Sequence, residues 1–343
     1  MRFLIISLFS SLILLGSCKN DFEINDEWKD ITIVYGILNS SQTTHYLRVQ
    51  KAFLGDGNAY DMAAVSDSIL NQQHLNIYME EWKNGTKKKT FNFNEKVYLP
   101  KDSGLFATEG HYVFKTTGAL DPQAEYRIFI EKDGKPTVTS STGLLSSFII
   151  KNPPMYQPLP VSLYSSNPYD IEWESCAGGK VYNVEIDFHY WEITATDTIE
   201  KILNWNGLSS VTAPTLAAGQ KLTLGVTGSS FLSFVSTQVK NDPAVIKRVA
   251  KKHGIDFHFY VGDENLYTYM QLTAPSSGLI QDKPSYTNIE NGVGLFASRY
   301  NQSISGRTLS DRSLDSLALG IYTKTLKFAT SGDTFTFWSQ TGE

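Results

Sequence analysis

Residues 120–128 read LDPQAEYRI, and this stretch decides the fold class that the sequence predicts. Pro122 fixes its own φ and restricts the residue before it, which is typical of a turn. After the turn, the apolar residues Tyr126, Ile128 and Ile130 recur at every second position, with Arg127 and Phe129 between them. A period of two indicates a β-strand with one buried face. The stretch therefore predicts a turn that leads directly into a half-buried strand.

The spacing within residues 120–128 resembles the Leu-x-Pro-x-x-x-Tyr-x-Val corner of fibronectin type III domains. In that corner the tyrosine hydroxyl bonds back to the backbone where the sixth strand begins. The resemblance implies an immunoglobulin/fibronectin III-like β-sandwich over residues 31–150, in which Tyr126 has a structural role. The alternative interpretation is a chance turn before a strand.

Further segments of alternating apolar residues surround this corner and favour a sandwich. They lie at residues 31–37, 45–49, 75–79, 90–93, 111–114 and 137–139. Asn84-Gly85 is an expected hairpin turn, because a type I′ turn needs positive φ at both central residues. Asp133-Gly134 is a second expected hairpin turn. The regular spacing predicts a mainly β fold.

Residues 151–160 contain four prolines and are predicted to form a stiff linker. Residues 161–343 then form a second predicted β-rich domain, with Trp173 in its core. Its strands are expected at 171–173, 182–186, 222–226, 255–261 and 334–338.

The apolar period changes to that of a helix near residues 229–253, which predicts a helical insertion. The first helix is expected to begin at Ser229-Ser230. The second is expected to begin at Asp242-Pro243 and to end at Gly254, because proline favours the first helical position and glycine the C-terminal one. A further short helix is predicted at residues 263–272.

Residues 1–17 have the pattern of a secretory signal peptide, with a positive charge at Arg2 and an apolar run too short to span a bilayer. The run ends in LGSC at residues 15–18, which resembles a bacterial lipobox. Cys18 is therefore the expected lipid-attachment site, where two or three palmitate-like chains provide stable anchoring. The alternative is an ordinary secretory signal with a chance cysteine.

Residues 18–30 are acidic and polar and are predicted to form a tether. Within them, residues 19–23 resemble the short signal that sends lipoproteins to the outer face of the outer membrane in Bacteroidota. We therefore expect a lipid-anchored protein of the outer membrane that is exposed at the cell surface.

Composition excludes a general nucleic-acid binder, because the net charge is −5. Aromatic residues make up 13% of the chain, which suits β-structure. Apart from Cys18, the sequence contains one other cysteine, Cys176, so an intramolecular disulfide framework is not expected. Cys176 is predicted to be an inert, buried residue.

We find no catalytic motif in the sequence and expect neither a metal nor a cofactor. No two histidines are paired at metalloprotease spacing. The six histidines are His45, His74, His111, His189, His253 and His258. A nucleophile elbow and a phosphate-binding glycine loop are also lacking. Carboxylates are plentiful, so a pair of carboxylates that hydrolyses glycans, as in glycosidases, stays an open alternative.

Three groups of residues could have a functional role, but a structural role is favoured for each. Residues Asp56, Asn58 and Asp61 form a weak calcium-loop candidate that lacks the central glycine and terminal glutamate of an EF-hand. A group of basic residues is expected at a helix C-terminus, where the helix dipole favours cations, rather than in an anion-binding patch. Its members are Lys247, Arg248, Lys251, Lys252 and His253. Tryptophans that are exposed could stack on sugars, and the candidates are Trp82, Trp191 and Trp205. Burial in the core is nevertheless expected for most of them.

Residues 286–296 read YTNIENGVGLF and are similar to a segment of a large family of Bacteroidota lipoproteins of unknown function. Residues 34–38 and 51–55 resemble the same family. Its genes often accompany TonB-dependent receptors, which implies a non-enzymatic binding or accessory role in uptake. A surface hydrolase and an adhesion or scaffold protein are the alternatives. Gly292 and Gly294 are expected to serve a tight turn.

Overall fold

The computed structural model describes residues 31–52, 65, 74–99, 112–164, 166–273 and 285–342. The protein is mainly β, with several sheets and a few short helices. This confirms the predicted fold class.

A sandwich of two sheets forms the N-terminal part. Its strands are β1 (Thr32–Asn39), β2 (Thr44–Lys51), β3 (Leu75–Lys83), β4 (Thr86–Asn92), β5 (Glu95–Tyr98), β6 (Tyr112–Thr117), β7 (Glu125–Lys132) and β8 (Val138–Gly143). One sheet has the order β4-β3-β7-β8, and the other contains β1-β2-β6-β5. Their inner faces enclose an apolar core that includes Val34, Met79 and Ile128.

Over the described residues from 150 onward, the C-terminal part adds eight strands and four helices. The strands are β9 (Ile150–Asn152), β10 (Pro168–Glu174), β11 (Gly179–Ile193), β12 (Thr198–Trp205), β13 (Val211–Thr212), β14 (Lys221–Thr227), β15 (Lys247–Asp263) and β16 (Gly292–Arg307). The helices are α1 (Gly228–Gln238), α2 (Glu264–Thr273), α3 (Asp311–Leu319) and α4 (Ser331–Thr341). A second core, around Trp173 and Phe259, is built by these elements.

One sheet runs through both parts of the chain. Its order is β12-β11-β15-β16-β1-β2-β6-β5, and β13 also pairs with β11. Strand β16 lies parallel to β1, in register from Thr32 opposite Gly292 to Asn39 opposite Arg299. Its Phe296 is buried in the N-terminal core and its Ile304 in the second core. The two cores are thus joined by continuous backbone pairing, while the domain boundaries at 151–160 stay a prediction.

The helix predicted from Asp242-Pro243 to Gly254 is wrong, because residues 247–263 form the long strand β15. This strand pairs with β11 on one side and β16 on the other. Gly254 does not end a helix but lies where the register with β11 shifts. A Cβ there would be 2.9 Å from the carbonyl oxygen of His189. Pairing on both sides outweighs the weak local preference for a helix.

The final strand predicted at residues 334–338 is also wrong, because α4 spans Ser331–Thr341. Thr334 and Trp338 are buried, one helical turn apart, while Phe335 is exposed. The Trp338 Nε1 donates to the carbonyl oxygen of Ala250 at 2.9 Å. Burial of one side of the helix, rather than the alternation of apolar and polar residues, therefore sets the secondary structure here.

Other local predictions are confirmed. Helix α1 fills the first predicted insertion, although Thr227 rather than a serine is its N-cap. Helix α2 corresponds to the helix predicted at residues 263–272. Asn84 and Gly85 have φ values of 51° and 71° and join β3 to β4, as a type I′ turn requires.

Across the described ranges, no helix combines the length and apolar character that crossing a bilayer requires.

Candidate functional site

A cleft of about 500 Å³ lies on the outer surface of β7 and β8. Its remaining wall comes from the start of α2 and the segment just before β16. The lining side chains used below are those of Glu125, Arg127, Phe129, Ser141, Asn265, Asn288 and Glu290. The volume falls within the range of small-molecule sites in proteins.

Alternation along β7 explains why these residues face the cleft. Tyr126, Ile128 and Ile130 are buried in the sandwich core. Because successive side chains of a strand point to opposite faces, Glu125, Arg127 and Phe129 project outward. The core pattern that fixes the fold thus also sets the composition of the cleft.

Aromatic rings form a stripe on this outer face. The rings of Phe129 and Tyr78 are stacked, with centroids 5.0 Å apart and planes inclined by 13°. Beside them, the Arg127 guanidinium lies over the Trp82 ring, 4.5 Å from its centroid. All four side chains are half-buried. We call these residues, Tyr78, Trp82, Arg127 and Phe129, the aromatic stripe.

Ion pairing fixes the charge of the cleft. Arg127 Nε and Nη2 donate to the two carboxylate oxygens of Glu125, each at 3.1 Å. This pairing lowers the pKa of Glu125 and raises the pKa of Arg127. Glu125 is therefore ionised at neutral pH and is held in place by a two-point contact.

Glu290 supplies the second carboxylate of the cleft. Its Oε2 accepts from Thr139 Oγ1 at 2.9 Å. The backbones of the same two residues form an antiparallel bridge, with N–H to O distances of 2.8 and 3.2 Å. The side chain is thereby anchored to β8 at both its base and its tip.

The family-like segment at residues 286–296 builds the wall of the cleft. The Asn288 side chain accepts from the backbone N–H of Phe296 at 2.9 Å and donates to its carbonyl oxygen at 2.7 Å. The backbone carbonyl oxygen of Asn288 accepts from Ser140 Oγ at 2.6 Å. Asn291 Nδ2 donates to the carbonyl oxygen of Thr137 at 2.9 Å. These bonds fasten the segment to β16 on one side and to β8 on the other.

The tight-turn role expected for Gly292 and Gly294 is wrong, because both residues lie within β16 beside β1. A Cβ on Gly292 would lie 2.7 Å from the carbonyl oxygen of Thr32. One on Gly294, which has φ of +125°, would lie 1.9 Å from that of Val34. Close approach of two parallel strands, rather than a turn, therefore excludes larger residues here.

The hydroxyl of Tyr126 lies against the backbone of the preceding turn. It accepts from the N–H of Asp121 at 2.7 Å and donates to Glu81 Oε2 at 2.7 Å. Burial and the neighbouring Glu81 carboxylate raise the pKa of Tyr126. Trp173 lies fully buried in the second core, against the rings of Tyr182 and Phe259.

Several sequence-predicted residues are not assessed by the structure. Cys18 and the calcium-loop candidates Asp56, Asn58 and Asp61 lie outside the described residues. In the described ranges, no group of three or more His, Cys, Asp or Glu side chains is placed to hold a metal ion. Cys176 is buried, and burial raises the pKa of its thiol.

The basic residues expected at a helix C-terminus lie on β15 instead. Arg248 is buried and donates to Glu192 Oε1 at 2.7 Å. Its other nitrogens donate to the backbone carbonyl oxygens of Leu326 and Lys240. Lys251 pairs with Glu200 at 3.0 Å. The group is therefore divided among separate contacts and does not form one patch.

The histidines and tryptophans are dispersed over the molecule. His45 is buried against the carbonyl oxygen of Gly118, at 2.9 Å. His189 lies 3.0 Å from Glu200, and His258 lies 3.1 Å from Asp187, on the outer face of the large sheet. His74 is exposed, His253 lies beside Gly306, and His111 lies outside the described residues. Of the tryptophans, Trp191 is half-buried and Trp205 is buried.

Sequence reasoning missed the cleft itself. It flagged Trp82 for possible stacking and residues 286–296 for a family likeness, but it did not bring them together. The link depends on the Thr139–Glu290 bridge, which joins residues 151 positions apart. The only local signal is the polar and aromatic character of the outward positions of β7.

Three comparisons with known proteins bear on this chain. A family model described as "Domain of unknown function (DUF4249)" matches residues 19–304. No curated protein matches the sequence. Among solved structures, the chain is similar to the C-terminal globular domain of oligosaccharyltransferase from Pyrococcus abyssi, at 10% identity and a TM-score of 0.24. That likeness covers 67% of this chain and 47% of the other, so the chain spans about half the length of that structure.

Proposed function

The chain belongs to the DUF4249 family, and from this premise we propose that it is a non-enzymatic, ligand-binding accessory lipoprotein of the bacterial outer membrane. In this proposal, acyl chains on Cys18 hold it at the cell surface of a Bacteroidota bacterium. It presents the cleft to a ligand and works with a TonB-dependent receptor that imports the ligand.

The single observation that carries the proposal is the way the cleft is built. Residues 286–296, which resemble a segment of a lipoprotein family of unknown function, do more than close the core. They also place Asn288 and Glu290 in the wall of an open cleft. Anchoring through Thr139 and Ser140 pre-organises this wall, and pre-organisation favours binding because less freedom is lost when a ligand arrives.

The two carboxylates in the cleft also bear on the alternative of a surface hydrolase. Glu125 and Glu290 face the same space. A glycosidase of this kind needs one carboxylic acid that stays protonated until it donates its proton. Arg127 instead lowers the pKa of Glu125, which disfavours the acid role for Glu125 but not that of an ionised nucleophile or base. The acid role would fall to Glu290, whose carboxylate is tied to Thr139 at 2.9 Å, and we therefore favour binding over hydrolysis.

Affinity purification from native outer membranes tests the proposal. The full chain with a C-terminal tag is extracted in mild detergent, and its partners and its intact mass are determined by mass spectrometry. We expect an acylated chain that co-purifies with a TonB-dependent receptor, and we expect the Cys18→Ala variant to leave the membrane fraction. A chain without acyl groups, or an acylated chain that is cleanly monomeric and without a partner, would contradict the proposal.

A further inference from the structure

We propose that the cleft and the aromatic stripe bind a neutral glycan, with a sugar ring lying on Phe129. This inference rests on the proposed function, because it names the ligand class of the same cleft. Three properties of the outer face of the sandwich support it: its aromatic rings, its hydrogen-bonding groups and its charge.

The aromatic rings provide a surface for the apolar face of a sugar. A pyranose ring carries C–H groups on its faces and hydroxyl groups at its edge, so it needs an apolar support with polar groups around it. Phe129 is half-buried and lines the cleft. Tyr78 stacks against it and keeps its ring in place. A rigid aromatic ring offers large contact area at low conformational cost.

The polar groups match the edge of a sugar. Tyr286 Oη donates to Asn265 Oδ1 at 2.6 Å, which leaves the amide NH₂ as the donor end of that side chain in the cleft. The carboxylates of Glu125 and Glu290 are acceptors. Sugar hydroxyls both donate and accept, so donors and acceptors placed around one ring suit this ligand class.

The charge of this face disfavours an anionic ligand. Two of its carboxylates are paired with a cation, and two others accept from neutral hydroxyl groups and keep their charge. Glu80 pairs with Lys87 at 2.9 Å, and Glu125 pairs with Arg127 at 3.1 Å. Glu131 accepts from Tyr78 Oη at 2.9 Å, and Glu290 accepts from Thr139. An anionic glycan would meet these carboxylates and an arginine that is already committed to Glu125, whereas a neutral glycan needs no counter-charge.

Calorimetric titration of the full chain tests the inference. The probes are cellohexaose, xylohexaose and a mannohexaose, with a galacturonic acid hexamer and trilysine as charged comparators. We expect at least one neutral hexasaccharide to bind. Phe129→Ala should weaken that binding about tenfold or more, because the stacking surface is lost. Phe335→Ala, which removes an exposed ring on α4, is the matched control and should leave binding unchanged.

A second variant guards against loss of folding. Ser141 is exposed at the cleft, so Ser141→Trp adds bulk there without removing core contacts. It should weaken binding while the melting temperature stays unchanged. The inference is overturned if no neutral hexasaccharide binds, if binding survives both cleft variants, or if only a charged probe binds. If a TonB-dependent receptor still co-purifies in that case, the accessory function stands and only the ligand class fails.

Discussion

Gly294 of β16 lies directly opposite Val34 of β1, and the substitution Gly294→Ala tests the packing that supports the cleft wall. Two costs combine in the variant. A φ of +125° is a conformation that alanine rarely adopts, at about 1–3 kcal/mol. The added Cβ would also lie 1.9 Å from the Val34 carbonyl oxygen, where ordinary contact begins at 3.4 Å. Separating the strands adds about 1–3 kcal/mol, as overpacking does.

We therefore expect Gly294→Ala to lower the free energy of unfolding by about 3 kcal/mol or more, out of a total of about 5–15 kcal/mol. The melting temperature should fall by at least about 5 °C. Urea denaturation measures the free energy, and hydrogen exchange should show faster exchange at residues 32–39 and 292–299. These are the strands paired in the structure.

Gly85→Ala is the control, because Gly85 has φ of +71° and no atom lies within 4 Å of a Cβ placed there. It should cost only about 1–2 kcal/mol, the price of the left-handed conformation alone. Equal losses in the two variants, or unchanged protection of β1 and β16 in Gly294→Ala, would refute the close-approach argument.

Three further predictions concern single side chains. Tyr126→Phe removes the hydroxyl that binds Asp121 and Glu81 and should cost about 1–3 kcal/mol in urea denaturation; unchanged stability would contradict a structural corner. Burial lowers the pKa of His45 below 6.5, so the unfolded chain binds the proton more readily and stability should fall as pH drops below 6.5. His45→Gln should flatten that dependence between pH 7.5 and 5.5, and an unaltered slope would exclude His45 as its source. Asn288→Ala leaves both backbone groups of Phe296 unpaired, so hydrogen exchange in β16 should accelerate; unchanged exchange would show that the Asn288 side chain does not hold the strand.

Local sequence signals predicted the strands of the N-terminal sandwich well, because one buried face imposes a strict period of two. The LDPQAEYRI stretch illustrates this, since Tyr126 and Ile128 are both buried. The failures arose where a local pattern suits two structures. Residues 242–254 carry helical spacing, but pairing with β11 and β16 makes residues 247–263 a strand. Residues 334–338 alternate like a strand, yet burial of Thr334 and Trp338 makes them a helix.

The candidate site was harder to predict than the fold, because it is assembled by long-range contacts. No local pattern shows that β16 lies parallel to β1 or that Glu290 bridges to Thr139. The sequence did single out residues 286–296 and Trp82, which lie in or beside the cleft. Phe129 and Arg127 escaped notice, because an outward position on a strand becomes a site only when another segment is packed beside it.

The central claim is that the protein meets its ligand at the cleft, and site-specific photo-crosslinking in living cells tests it most directly. A benzophenone amino acid at Asn92, an exposed position directly opposite Tyr78 of the aromatic stripe, places the probe at the edge of the site without filling the cleft. The same probe at Ser339 on α4 serves as an exposed control. We expect a crosslinked product, detected as a discrete mass increase, at position 92 and none at 339. The absence of a product at 92, or equal yields at the two positions, would contradict the account.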